Sequence, residues 1–408
     1  MQQGEAPSFP LETFEKIIDS FSESDDKSPL LICSLVCRTW VRRSRYHYFR
    51  KFHAWEEEAC ISLLQMISEP YTSITASTIR ELDVGEHQYR DRPWVVKYFP
   101  LLLKALPGVE ALSLSHINYN ASSSYELIQP SGRVLHGFPP QLPWPSVTSL
   151  TFTGCCFQSF RQLFVVLNRF SSLEDLTLEH LVFVDQNCGT LRPNFAEDRR
   201  VPHLTCLKRL RLDDIPLSSS QDRFHFWFVY PLTNVEVLSV RMPKGLHGWK
   251  MLKQMLYGLR KSLVELELRE SCDLYGDPGG YDLELGLYSV HTIVFSGIRH
   301  RRSDGPRHLR ASMIPTIFFQ IRDSPDLERV IFDVDDRDVI AAMEELKAPI
   351  KAIEWALHQK PVLDGVKELI VRTNHQSWVL AVHASVIDKL FERLVKKGIA
   401  VKMESSRR

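Results

Sequence analysis

Residues 173–178 read "LEDLTL": one apolar residue, two polar ones, then apolar, polar, apolar. The same spacing occurs in "IRELDV" (79), "VEALSL" (109), "VTSLTF" (147), "LKRLRL" (207) and "VEVLSV" (235), and again in "LVELEL" (263), "VHTIVF" (290), "LERVIF" (327) and "VKELIV" (366). Ten copies, separated by steps of 26 residues (147 to 173) up to 39 (327 to 366), indicate an internal repeat. In each copy the second and third apolar positions are two residues apart. Side chains of a strand alternate between faces, so these two share one face of a short strand. Helical stretches such as "WVVKYFPLLLKAL", "FRQLFVVLNRF" and "GWKMLKQMLYGLRKSL" stand between copies. The unit is therefore strand, loop, helix. Parallel strands joined by right-handed crossovers follow, because such connections are almost always of that hand. A single unit cannot bury its apolar face alone, so the expected fold is α/β, a right-handed solenoid with a parallel sheet of about ten strands whose stacked neighbours supply the core.

Composition sets the outer limits. With 408 residues and 44% hydrophobic content the chain can bury a large core. Its 50 basic residues balance 50 acidic ones, so no global field draws in nucleic acid or anionic lipid, and neither is expected as a partner. No run of 18 apolar residues is present, and "MQQGEAPSF" lacks the basic and apolar regions of a secretory leader; the expected location is intracellular, cytoplasmic or nuclear. Eight cysteines are too few for a disulfide framework in a chain of this length. Cys33 and Cys37 stand one helical turn apart, but no second pair at zinc spacing accompanies them, and they read as buried structural thiols.

The tracks resemble the leucine-rich repeat family in its irregular form, their steps often exceeding the roughly 20–29 residues of regular members. Regular members carry Asn or Cys three places after the last apolar position. Cys155 and Asn374 stand there in this chain, whereas Ile117, Leu181, Ile215, Pro243 and Ile298 occupy the place elsewhere, so the usual side-chain ladder is mostly missing. "IKAIEW" at 350 has a similar look but lies 16 residues before the track at 366, too close for a strand and a helix. "WVLAVHASVIDKLFERLVKKG" reads as a final capping helix.

A different module precedes the repeats. Pro10 opens "LETFEKIIDSF", in which Phe14, Ile17, Ile18 and Phe21 recur at helical spacing; proline at a helix start sacrifices no hydrogen bond. After "SESDDKSP", the run "LLICSLVCRTWVRRSRYHYF" puts Leu31, Leu35 and Trp40 on a mainly apolar helical face. Phe9-Pro10-Leu11-Glu12, Ile17-Ile18, Leu30 and Val36-Cys37-Arg38-x-Trp40 resemble the F-box, with Phe9 and Pro29 where that family has leucine and an acidic residue. The resemblance implies the substrate-receptor subunit of a cullin-type (SCF) ubiquitin ligase. A Skp-type adaptor, and through it a cullin, would be held by Pro10, Leu11, Ile17, Ile18, Leu30, Leu35, Val36 and Trp40, while the repeats bind a target protein. The alternative is a repeat scaffold for protein interactions with no ligase role. The organisation expected is a disordered 1–8, an F-box-like module at 9–54, a linker helix at 55–74, repeats at 75–375, and a capping helix with tail at 376–408.

Catalytic chemistry is missing from the motifs. There is no glycine-rich phosphate loop with lysine, no H-E-x-x-H, no G-x-S-x-G and no zinc cluster, so neither an enzyme nor a cofactor is expected. "DVDDRDVIAAME" (333–344) imitates a calcium loop, but Arg337 and Asp338 stand at its fifth and sixth places, where a ligand and a glycine are needed.

Two surfaces are candidates for target binding. Insertions at 118–144, 184–203, 273–286 and 297–312 all leave the strands at the same end; the last carries Arg299, Arg301, Arg302, Arg307 and Arg310. The residues flanking the buried pairs should point into the concave space of the solenoid. Those proposed to meet a target there are Asp175, Glu179, Arg209, Arg211, Arg241, Glu267 and Arg269, beside Thr177, Asp213, Val237, Ser239 and Glu265.

Overall fold

A computed structural model describes residues 11–22, 26–69, 78–86, 94–117, 144–157, 160–183, 204–213, 234–241, 245–269, 285–298, 321–334, 364–373 and 391–405, together with positions 232, 314, 317, 318, 350, 351 and 354. In chain order the first elements are α1 (Leu11–Ser20), α2 (Ser28–Val36), α3 (Arg38–Phe49), β1 (Lys51–Ala54), α4 (Glu57–Ser68), β2 (Glu81–Gly85), α5 (Trp94–Ala105), β3 (Ala111–Ser115), β4 (Ser149–Thr153), β5 (Cys156–Phe157) and α6 (Phe160–Leu167). They are followed by β6 (Asp175–Glu179), β7 (Val182–Phe183), β8 (Arg209–Asp213), β9 (Val237–Arg241), α7 (Gly245–Gly258), β10 (Glu265–Arg269) and β11 (Leu285–Gly286). The last are β12 (Thr292–Ile298), β13 (Ile321–Asp323), β14 (Arg329–Val334), β15 (Glu368–Thr373), α8 (Glu392–Lys396) and β16 (Ala400–Ser405).

The chain divides into two units, Met1–Leu173 with Leu181–Val184, and Glu174–His180 with Asp185–Arg408. In the first, three helices come before the strands. Pro29 sits in the first turn of α2, where its missing N–H breaks no bond, and Cys37 adopts an extended conformation that separates α2 from α3. Ile18, Leu30 and Cys33 form the centre of this helical module, with Phe21, Trp40 and Tyr48 packed against them. Phe14 lies on Trp40 with ring centroids 5.1 Å apart. Polar bonds tie α1 to α3: Arg43 donates to both oxygens of Asp19 at 2.8 and 2.6 Å, and His47 Nε2 lies 2.8 Å from Asp19 Oδ1. The Arg43 hydrogen bonds hold the Asp19 carboxyl below its ordinary value against the opposing effect of burial, with His47 assisting.

Strands β1, β2, β3 and β4 then pair in parallel, in that order and without a register shift. Beneath them Trp144 meets Phe99 and Phe170 at 5.9 and 5.0 Å, and Phe157 meets Phe152 and Phe183 at 5.5 and 6.1 Å. The second unit repeats the plan with β6, β8, β9, β10, β12, β14, β15 and β16, again parallel. Trp249, Met251, Leu252, Met255 and Leu256 of α7 are buried, and Phe295 stacks on Phe332 at 5.8 Å.

Every one of the ten tracks yields one strand, starting at its third residue, and all three apolar positions of every track are buried. The strand entries share one hydrogen-bond device. The carbonyl of the residue before a strand accepts two consecutive N–H groups of the next: Arg80 and Glu81 donate to Arg50, Glu110 and Ala111 to Arg80, Glu236 and Val237 to Lys208, Lys367 and Glu368 to Glu328. Four strands, β3, β4, β6 and β12, share a second device, a residue in the left-handed region directly after the fifth strand position: His116 (φ 57°), Gly154 (φ 63°), His180 (φ 51°) and Gly297 (φ 80°).

The sequence reading differs from the structure in three places. Twelve strands rather than about ten lie in the main parallel ladders, because β1 and β16 add one before the first track and one after the last. Residues 400–405, expected as tail, are thus a strand paired to β15. Cys37, expected as a buried thiol, is exposed, as is Cys206, whereas Cys33 is buried. "IKAIEW" is helical at positions 350, 351 and 354, in keeping with its short distance from the next track.

Candidate functional site

Two surfaces merit description, one in each unit. On the helical module, α2 (SPLLICSLV) carries no charge and is apolar on nearly every side, so one face remains uncovered however it packs. Leu30 and Cys33 turn inward, and Leu31, Ile32, Leu35 and Val36 turn outward; Leu35 is 85% exposed, Ile32 65% and Val36 59%. Ile17 of α1 and Tyr46 of α3 add further exposed apolar surface to the module. Contiguous apolar exposure of this kind marks a contact surface in soluble proteins, whereas isolated exposed leucines do not.

The eight residues expected to meet an adaptor therefore separate into groups. Ile17, Leu35 and Val36 lie on the surface. Ile18 and Leu30, at 1% and 0% exposure, form the interior that holds the helices together. Trp40 is half-buried against that interior. Pro10 and the side chain of Leu11 lie outside the described residues. Leu31 and Ile32 were not among the candidates; the signal that could have found them is the absence of any polar residue from 29 to 33.

The second surface is the face of the second unit's sheet opposite its apolar core. Asp175 and Arg209 are in register on β6 and β8 and form a two-pronged ion pair, the second prong being Arg209 Nη2 to Asp175 Oδ2 at 2.8 Å. That contact raises the Arg209 guanidinium above its already high value. One strand position on, Arg211 reaches Glu179 at 2.8 Å. Asp213 is the centre of the face: Arg269 lies 2.8 Å from its carboxylate, and Arg211 and Arg241 each lie 3.6 Å from it. Glu267 is in no ion pair among the described residues, and its charge raises neighbouring Glu265, which burial has already raised. Burial also leaves Arg211 Nε, Ser239 Oγ and Ser296 Oγ without a hydrogen-bond partner in the structure.

Six of the expected target-binding residues are thus brought together: Asp175, Glu179, Arg209, Arg211, Arg241 and Arg269. They form a paired network, not a row of free charges. Asp213, which joins three of them, was recognised in the sequence as a face residue but not as a site residue. Its parity in "LKRLRLD" places it on the face, but only the register of β8 against β9 and β10 shows that three arginines meet there. Arg299, Arg301 and Arg302, the insertion at 184–203 and nearly all of 118–144 lie outside the described residues.

Neither surface has the makings of a metal centre. Among the described residues no group of three or more His, Cys, Asp or Glu side chains could hold a metal ion, and no helix is long and apolar enough to cross a membrane. No protein-family model matches the chain, and no curated protein matches it.

Proposed function

We propose that this chain is a non-catalytic receptor subunit of an SCF-type ubiquitin ligase: an F-box-like helical module docks on a Skp-type adaptor, and an irregular leucine-rich-repeat solenoid binds the target on its concave face. The observation that carries the reading is the uncovered apolar face of α2, where Leu31, Ile32, Leu35 and Val36 face solvent directly above the small interior built by Ile18, Leu30 and Cys33. A module this short has little core of its own, and an apolar partner surface would supply what it lacks. The resemblance of "VCRTW" and "FPLE" to the F-box names the kind of partner.

The test replaces Leu35 and Val36 together by Glu and measures co-purification with a Skp-type adaptor. Both side chains project into solvent, so the double variant should fold and melt as the parent does while losing at least ten-fold in adaptor recovery. Recovery at the parental yield would defeat the ligase reading. It would leave a repeat protein with some other partner.

A further inference from the structure

We propose that the uncovered apolar face of α2 continues into a basic stripe on α3, formed by Arg38 and Arg42, and that its partner presents an apolar groove bordered by carboxylates. The inference rests on reading this module as the adaptor-binding part, and it adds the charge that the adaptor must carry.

The first support is the distribution of charge. Residues 27–51 hold no Asp or Glu, although the whole chain has 50 acidic residues against 50 basic ones. Most cations of that run are engaged: Arg43 and His47 hold Asp19, Arg50 reaches Glu81 at 3.5 Å, Lys51 stands beside Glu81 in register, Lys27 donates to the Ser22 carbonyl, and Arg45 has a partner of its own. Arg38 and Arg42 differ. Both are exposed, and neither is in an ion pair among the described residues. The acids of the module stand elsewhere: Glu15 acts on Arg43, Asp26 accepts the Ser28 N–H at the start of α2, and Glu12 of α1 pairs with neither arginine. Arg38 lies past the other end of α2. That nine-residue helix separates it from Asp26 by about 13 Å, beyond the screening length of about 8 Å at physiological salt.

The second support is local. Arg38 is the first residue of α3, and no acidic residue stands in that helix's first turn. A helix N-terminus carries partial positive charge, so a cation there opposes the dipole, and a carboxylate from outside relieves both.

Spacing is the third. Arg42 follows Arg38 by one turn and Tyr46 follows Arg42 by another, all three exposed, so they share one face of α3. The stripe starts two residues after Val36, the last exposed apolar residue of α2. An aliphatic centre is thus continuous with a charged border, the anatomy of a protein interface with a dry core and a polar rim. Arginine suits carboxylates, because its planar fork meets them with two parallel hydrogen bonds. The apolar side has no Trp or Phe of the kind that anchors a helix lying on a membrane, which favours a protein partner.

The experiment measures rates of binding between the purified full chain and a purified Skp-type adaptor by surface plasmon resonance, at low and at high salt. Arg38→Gln/Arg42→Gln should slow association about ten-fold at low salt, leave it nearly unchanged at high salt, and melt as the parent does. Arg38→Lys/Arg42→Lys keeps the charge and loses the forks, so it should associate at close to the parental rate and dissociate several-fold faster; it carries the test if the glutamine variant does not fold. Equal association of parent and glutamine variant at low salt overturns the proposal and leaves adaptor binding standing. If the parent does not bind the adaptor, the ligase reading falls, and the charge preference is read from three labelled amphipathic peptides with leucine on one face and Glu, Gln or Lys on the other. Tighter binding of the Glu peptide, lost in the glutamine variant, then upholds an acidic partner. Equal binding of the three, or none, overturns it. Arginine-dependent binding of phosphatidylserine vesicles without preference for the Glu peptide also overturns it, by making the partner a lipid surface.

Discussion

The sheet faces of the two units share one backbone plan and differ in what they display. In the first unit the outward positions of β2, β3 and β4 are Glu81, Asp83 and Gly85, then Ala111, Ser113 and Ser115, then Ser149, Thr151 and Thr153. In the second, β6 and β8 display Asp175, Thr177 and Glu179 beside Arg209, Arg211 and Asp213. Small hydroxyls and an alanine on β3 and β4 thus correspond to interlocked ions on β6 and β8, while Glu81 and Asp83 of β2 pair with Arg50 and His53. The inward positions show no such divergence: Leu112 and Leu114 are buried like Leu266 and Leu268. The apolar triplet is what makes a strand of this sheet. On β6 and β8 the alternate positions are released from that duty, whereas on β12, β14 and β15 Val294, Ile331 and Ile370 occupy them and are buried together.

The comparison breaks first, if it breaks at all, in the core. Replacing Leu112 in one unit or Leu266 in the other by Asp would bury an unpaired carboxylate, and the expected outcome is loss of soluble protein for both, an effect of several kcal/mol. The milder Leu→Ala change at either site should lower stability by about 2–5 kcal/mol in denaturant titrations. A unit that tolerates aspartate would not share the core plan of the other.

The faces should behave unequally. Asp213→Ala removes the carboxylate that accepts from Arg269 and faces Arg211 and Arg241, and a loss of about 1–3 kcal/mol is expected. Ser113→Ala on the hydroxyl face should stay within about 0.5 kcal/mol. Equal effects in urea unfolding would show that the ionic face is decorative.

The smallest expected effect sharpens the contrast within the first unit. Glu86 is buried just past β2 and accepts the Val95 N–H at 3.2 Å. Burial raises its carboxyl above the ordinary value, so between that value and the raised one the folded state holds more protons than the unfolded. Its contribution to stability is therefore greatest at low pH and declines as pH rises through that window. Glu86→Gln keeps the acceptor and removes the charge; it should melt slightly higher than the parent at pH 7, with the gap closing as pH falls. A gap that widens on acidification would reverse the assignment.

Much of this was legible in the sequence, for a physical reason. A strand covered on one face by helices and flanked on both sides needs buried residues at fixed parity, and "LEDLTL" displays that need. The strands β1 (KFHA) and β16 (AVKMES) do not: each has a single described neighbour, and β16 is largely exposed, so neither carries the full triplet. On α1 and α2, spacing identified an apolar helix but could not divide it. Ile17 and Ile18 are adjacent and chemically identical, yet one is 43% exposed and the other 1%. Which of them faces the interior is decided by where α3 lies, a tertiary fact. Charge was legible on the sheet face, but pairing was not, since Asp213 meets Arg269 across 56 residues of sequence.

The doubled hydrogen bond at the entry of nine strands has a consequence for how such a chain can change over time. A carbonyl that accepts two consecutive N–H groups fixes where the next strand begins without reference to the segment in between. The backbone pairing that sets the register between one repeat and the next is completed within a few residues of track. The linking segments, which make the steps vary from 26 to 39 residues, can lengthen or shorten while alignment in the sheet is preserved, provided that their buried positions such as Phe99, Trp144 and Trp249 stay apolar. Selection for new binding properties can therefore act on the length and the exposed positions of these segments without disturbing the register of the sheet.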